Sequence, residues 1–239
     1  MTSEVPRPVC LIPARGGSRR FPRKNIALLR GRPLLAWAIE AARESKLFDD
    51  VWVSTDDAEI AAIARDHGAV VHDRPEALAG DTATIAQVGV DFLDWLAARG
   101  RAAETICIVL PTAALMRADD LRGAWDLFLA REAEYGIAVT TYLESPFWAL
   151  HEVAGGYYDL FFGDQYARAT QALPAVRVDA GYFYFVRASS LRRERKLYGP
   201  RLVGYPIPRA RAIDIDEPEH LVIAEALLAA MESGKDAAR

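Results

Sequence analysis

The chain has 239 residues, 51% hydrophobic and 26% charged, a composition that excludes a disordered or fibrous protein and allows one compact domain with a sizeable core. Its formal net charge of -4 excludes a general nucleic-acid binder, because the field of the whole molecule would repel a polyanion. No apolar run reaches the roughly 18 residues of a membrane helix, the start "MTSEVPRP" lacks the apolar centre of a signal peptide, and Cys10 and Cys107 lie inside apolar runs. A soluble, cytoplasmic protein with reduced thiols and no membrane partner is therefore expected.

The first predicted strand is "VCLIP", and it runs into "PARGGSRRFPRKN", Pro13 to Asn25, which carries five cations and no acid. Between Val5 and Ile39 the only charged residues are Arg7, Arg15, Arg19, Arg20, Arg23, Lys24, Arg30 and Arg32. An ordinary solvated face mixes signs, so this loop reads as an anion site, with a flexible basic arm as the alternative. It leaves its strand at the carboxyl end, where open α/β sheets bind ligands. Gly16, Gly17 and Ser18 let backbone amides close on phosphate oxygens, and Arg15, Arg19 and Lys24 supply full charges. Neither G-x-x-x-x-G-K-[ST] nor G-x-G-x-x-G is present, which argues against a P-loop ATPase and a dinucleotide-binding enzyme.

A helix over "PLLAWAIEAARES" follows, with Pro33 at its first position and Leu34, Leu35, Ala38, Ala41 and Ala42 along the face toward the sheet. After the strand "DVWVST", Asp56 and Glu59 read as a capping box for the helix "DAEIAAIARDHG", ended by Gly68. The strands "AVVH", "TICIVLP", "GIAVTTY", "AGYFYFV" and "LVGYPI" come next; alternating with helices, they predict an α/β fold with a mainly parallel sheet. From about 144 to 177 the alternation lapses into an aromatic-rich stretch with a Gly-Gly turn, predicted to be a hairpin arm inserted into one domain spanning 1–239. Its exposed aromatics call for cover by a partner subunit or a substrate. The final helix, "EHLVIAEALLAAME", is expected to lay its apolar face on the sheet, and "SGKDAAR" to be a frayed tail.

In "AIDIDEPEH", Asp214 and Asp216 would project from the same side of an extended backbone, a hard oxygen pair suited to Mg2+. The alternative has Asp216 capping the last helix and Asp214 paired with Arg211. His67, His72, His151 and His220 lack ligand spacing, so they read as surface or helix-end residues and no zinc site is expected.

The segment "IPARGGSRRFPRKN" resembles the signature of the nucleotidyltransferases that activate nonulosonic acids with CTP: the N-acylneuraminate, legionaminate and pseudaminate cytidylyltransferases. The likeness continues in order through "GRPLLAWAIEAARESKLFDDVWVSTDDAEIAAIARDHGA", "RPEALAGDTAT", "LPTA" and "AIDIDEPEH". It implies a Rossmann-like, GT-A-like nucleotidyltransferase fold and a homodimer built through the inserted arm. The implied reaction joins CTP and a nine-carbon α-keto acid sugar into a CMP-sugar and pyrophosphate, with magnesium.

The same resemblance implies Arg15, Lys24, Asp214 and Asp216 as catalytic groups, the two aspartates holding the metal. It places Ala14, Gly16, Gly17, Ser18, Arg19, Asn25, Arg74, Asp81, Thr82, Thr84 and Pro111 around the nucleotide, although Arg74 alone reads equally well as a surface arginine. The sugar is expected near "RATQALPAVRVDAGYFYF", where Arg168 with Gln171, or Arg177, offers its carboxylate a bidentate partner, and Asp179 lies alongside. "VDAGYFYF" resembles the Asp-Ala-Gly element of the pseudaminate branch and favours pseudaminate over N-acylneuraminate or legionaminate. Val178 stands where that branch commonly has His, and Ala114 where a proline is expected after "PTA". The rivals are another sugar nucleotidyltransferase, such as one acting on Kdo, a catalytically silent nucleotide-binding protein, and a glycosyltransferase, whose acidic pair usually lies nearer mid-chain.

Overall fold

The computed structural model describes residues 6–163, 168 and 170–233. In chain order its regular elements are β1 (Val9–Pro13), β2 (Leu28–Leu29), β3 (Arg32–Pro33), α1 (Leu34–Glu44), β4 (Val51–Thr55), α2 (Ala58–Asp66), β5 (Val70–Asp73), α3 (Ile85–Ala97), β6 (Thr105–Val109), α4 (Ala118–Ala130) and β7 (Tyr135–Thr140). There follow β8 (Leu150–Val153), β9 (Tyr157–Leu160), β10 (Val178–Arg187), α5 (Ala188–Glu194), β11 (Leu202–Pro206) and α6 (Pro218–Glu232).

The seven apolar runs read as strands all enter one sheet, ordered β11-β7-β10-β6-β1-β4-β5. Only β10 runs antiparallel to its neighbours; the other pairings are parallel, as the strand-helix alternation predicts. Strand side chains alternate between faces, so Cys10 and Ile12 join the core beneath α1, α2 and α4 while Leu11 joins the core beneath α3 and α5. Both faces are covered, which is why β4 and β6 are buried at every position and β1 at its three central ones, rather than alternately.

Three local expectations are corrected. Pro33 is the residue before α1, extended at φ -56 and ψ 140, not its first helical residue. The cap of α2 is Asp57, whose Oδ1 accepts from the amides of Glu59 and Ile60, both at 3.0 Å; Asp56 turns instead to the loop after β1. In α6 only Ala224 and Leu228 are buried, and Val222 is 69% exposed. That helix packs beside the β2–β3 hairpin because α1 and α4 already cover the sheet face.

The segment 144–177 contains the expected hairpin, β8 against β9, turned through Gly155 and Gly156 at φ +86 and +78. Leu150, Tyr157, Tyr158, Phe161 and Phe162 stand exposed on it. Residues 164–167 and 169 of this segment, and 234–239 of the expected tail, lie outside the described residues.

Candidate active site

From β1 the chain winds outward to β4 and β5, then returns to place β6 on the other side of β1. The segments leaving the carboxyl ends of β1 and β6 therefore diverge, and an open α/β sheet forms its crevice at such a switch point. A cleft of about 600 Å³ lies there. Its wall is the loop after β1 (Arg15, Gly17, Ser18, Arg19, Arg20, Lys24, Asn25), joined by Arg74, Asp81, Pro111, Thr112, Asp214 and Asp216.

The sequence leaves the loop's positive charge without a local partner; the fold supplies partners from far along the chain. Asp81 pairs with Arg15 at 2.8 Å and also with Arg19. Asp216 accepts from Lys24 Nζ at 2.6 Å and from Arg20 at 2.7 Å. Arg23 pairs with Asp57 and Glu59, Arg30 with Glu232, Arg32 with Glu40 and Arg7 with Asp49. The loop is thus not a free basic arm.

Its backbone is pinned on both sides. The Ala14 amide donates to Ser54 O at 2.9 Å, and the buried Asn25 donates through Nδ2 to Arg15 O at 2.9 Å. The Gly16 amide donates to Asp56 Oδ1 at 3.1 Å, and a Cβ at Gly16 would come within 2.7 Å of Asp57 Oδ2. Ala14 and Gly16 therefore spend their amides on scaffolding, while Gly17 and Ser18 border the cleft.

The two aspartates sit on an irregular segment after β11, not on a strand. Neither takes its alternative role. Arg211 forms a buried bidentate pair with Asp120, at 2.7 and 2.8 Å, and α6 begins from Glu217. Asp214 is open to the cleft yet surrounded by protein, and it accepts from Thr112 Oγ1 at 3.2 Å. Burial, then repulsion from Asp216, holds its carboxyl above the usual carboxylate pKa. Burial also pushes Asp216 upward, but its bond to Lys24 and the charge of Arg20 outweigh that and leave it below the usual range.

Space for Asp214 comes from a distortion of β10. Between Asp179 and Tyr184, five steps along β10 answer two along β7, and Gly181 within this bulge has φ +68. A Cβ there would lie 3.0 Å from the Asp214 carboxylate.

The other residues anticipated from the sequence divide. Arg74 is 8% exposed rather than a surface side chain; burial lowers its pKa to about 10, and it donates through Nη2 to Ser54 O at 2.7 Å. Thr82 does not line the cleft, and Thr84 caps α3, its Oγ1 accepting from the Gln87 amide at 3.2 Å. Arg168, which donates to Ala172 O at 2.8 Å, and the exposed Gln171 are not among the cleft residues. Arg177 lines a separate hollow with Val139 and Leu202. Asp179 is held by the Tyr184 hydroxyl at 2.8 Å, the Tyr198 hydroxyl and the Gly181 amide.

Sequence reasoning missed Arg20 and Thr112 as cleft residues. Arg20 was inside the basic loop, and Thr112 belongs to the quoted "LPTA", so both signals were present. It also misjudged His72, which is 1% exposed, because α3 covers the end of edge strand β5.

Two carboxylates and a hydroxyl converge on the open cleft, and no cluster of three or more acidic, His or Cys ligands occurs among the described residues. Such a donor set fits a hard cation that takes most of its ligands from water and phosphate, as Mg2+ does.

The sequence matches the family described as Cytidylyltransferase over residues 9–124. It is 32% identical, over 92% of this chain and 95% of the relative, to a pseudaminic acid cytidylyltransferase of Campylobacter jejuni. It is 30% identical to N-acylneuraminate cytidylyltransferase A of Danio rerio, over 86% of this chain and 47% of that one. Among solved structures, CMP:2-keto-3-deoxy-manno-octonic acid synthetase complexed with CTP superposes with a TM-score of 0.69 at 16% identity, covering 94% of this chain and 99% of that chain. That likeness concerns the fold.

Proposed function

The chain belongs to the cytidylyltransferase family, and from that premise we propose that it transfers the cytidylyl group of CTP to pseudaminate, a nine-carbon α-keto acid sugar, releasing pyrophosphate. One observation carries the reading: a cationic loop and two aspartates nearly 200 residues later share a single cleft, with Lys24 and Asp216 in contact at 2.6 Å. Pseudaminate is favoured over the other nonulosonates by the Campylobacter jejuni relative and by the Asp-Ala-Gly element at 179–181.

In the mechanism, Arg15, Arg19, Arg20 and Lys24 neutralise the triphosphate, with the Gly17 and Ser18 segment alongside it. Asp81 and Asp216 hold these cations at the cleft beforehand, and phosphate oxygens take over from the carboxylates when the nucleotide binds. Asp214 and Asp216 would hold Mg2+, which supplies charge neutralisation at phosphate and lowers the pKa of a bound hydroxyl. The sugar hydroxyl attacks the α-phosphorus in line; the bond to the bridging oxygen breaks, pyrophosphate leaves and the hydroxyl proton passes to solvent. Positioning and charge account for such a transfer without a dedicated strong base.

A homodimer formed through the exposed β8–β9 arm completes the proposal, supported by the apolar side chains that arm leaves uncovered. A cytoplasmic setting is supported by two buried free thiols; no helix among the described residues is long and apolar enough to cross a membrane. The test is pyrophosphate release from CTP with pseudaminate, legionaminate, N-acetylneuraminate and Kdo. Release is expected to be fastest with pseudaminate and to fall at least 100-fold in Asp216→Asn, the scale of losing one charge-stabilising group. No release with any sugar refutes the activity, and a preference for Kdo refutes the assigned sugar.

A further inference from the structure

Arg74 is held by contacts that lead away from the cleft into the core beneath α3. Ser54, fully buried on β4, accepts from Arg74 twice, through its carbonyl at 2.7 Å and through Oγ from Nε at 3.3 Å. The same Oγ lies 3.1 Å from His72 Nδ1. A guanidinium only donates, so the Ser54 hydroxyl has its own proton to give, and in the tautomer with the ring proton on Nε2 it is His72 Nδ1 that accepts it.

His72 is clamped between aromatic rings of α3, with centroids 5.4 Å from Phe92 and 4.9 Å from Trp95. Its Nε2 faces Asp91 Oδ2 at 3.7 Å, an electrostatic neighbour too distant for a hydrogen bond. Burial holds the ring's pKa below the ordinary histidine value; Asp91 and Asp73 oppose this, and Arg74 and Arg99 add to it. The neutral ring is the form that can accept from Ser54.

We propose that Ser54 and His72 are positioning residues that orient the Arg74 guanidinium in the cleft and thereby set the affinity for CTP, an inference that rests on the cleft being the CTP site. The relay passes through side chains that never meet the nucleotide. It acts on nucleotide binding, not on the sugar or the transfer step, because the side-chain contact it makes toward the cleft is to Arg74.

The test compares His72→Asn with His72→Gln, measuring CTP Kd by calorimetry, KM for CTP and for pseudaminate, kcat and Tm. The Asn carbonyl can occupy the place of Nδ1 and accept from Ser54, whereas the Gln carbonyl reaches toward the place of Nε2. His72→Gln is expected to weaken CTP about tenfold, in Kd and KM alike, the scale of a disturbed hydrogen bond to a charged group. His72→Asn should stay within about threefold of wild type, and sugar KM and kcat within about twofold in both, a loss confined to one hydrogen bond. In an Arg74→Ala background, His72→Gln should add nothing. Equal behaviour of the two variants, or an undiminished effect without Arg74, overturns the relay. A wild-type protein that binds no CTP overturns the reading of the cleft itself, which is a different result from CTP binding that is indifferent to His72.

Discussion

The segment that delivers Asp214 and Asp216 to the cleft has no regular structure, so something else must fix it, and the buried Arg211–Asp120 pair is the strongest tie. Arg211 and Asp120 are 8% and 4% exposed and meet through two bonds of 2.7 and 2.8 Å. Asp120 also accepts from the Arg117 amide at 2.8 Å in the first turn of α4, and the Arg211 carbonyl accepts from the buried Tyr182 hydroxyl. Asp120→Ala would leave a buried guanidinium uncompensated, a change that costs about 3–5 kcal/mol. For a chain of this size that lowers Tm by roughly 6–20 °C. Urea denaturation gives the free energy, and pyrophosphate release from the same samples tests whether the aspartates have moved. Replacing both partners, as Asp120→Leu with Arg211→Met, removes the stranded charge and should recover stability to within about 1 kcal/mol of wild type. A loss below about 1 kcal/mol in Asp120→Ala, or a double variant as unstable as the single one, would refute a charge-pair anchor, since neither fits the cost of an unpaired buried ion.

Two further predictions concern neighbouring devices. Gly181→Ala forces a side chain into φ +68 and sets its Cβ 3.0 Å from the Asp214 carboxylate; a stability loss of about 1–2 kcal/mol is expected, with kcat reduced about tenfold or more by the displaced carboxylate, and unchanged kcat would show that the position of Asp214 does not matter. Asp57 is held below the usual carboxylate pKa by its bond from Arg23, against burial and with help from the Ile60 and Glu59 amides. Its folded value is lower than its unfolded one, so it contributes stability above about pH 4 that disappears as pH falls through the lowered value. Arg23→Gln should flatten that acid limb in urea titrations between about pH 2 and 6, and superimposable profiles would dismiss the pairing as a source of stability.

The sheet was legible because its strands are built on short apolar, β-rich runs, so local preference and burial agree. The helix α6 was not, for a physical reason present in its own letters. "LVIAEALLAA" is apolar on nearly every side, and such a sequence does not say which face will be buried. Competition decides, and with α1 and α4 already on that sheet face, Val222 and Ile223 remain outside. His72 failed in the opposite sense. It shares a strand face with Val70, which is 39% exposed, and only the aromatic rings of α3 separate the two environments.

The candidate site was legible only in halves. Its cations form a continuous run that any reading of charge pattern finds, but the carboxylates that hold them come from Asp81 and from Asp216, 196 residues beyond Arg20. An excess of one sign in a sequence therefore marks where charge is wanted, without revealing whether the folded protein leaves it bare. Here it does not, and the difference bears on binding. A bare cationic loop would gain the full Coulomb energy of a triphosphate after first paying its own self-repulsion. A loop already bridged by Asp81 and Asp216 exchanges one set of anionic partners for another, so the net gain depends on where the displaced carboxylates go. Asp216 lies beside Asp214, whose carboxyl is held above the usual range first by burial and then by repulsion from Asp216. A cation arriving with the nucleotide would relieve that crowding as Lys24 and Arg20 turn to phosphate, which couples the two exchanges. Separate measurement of CTP affinity with and without Mg2+ should then show each strengthening the other, and independent binding of the two would break the argument that Asp216 serves both.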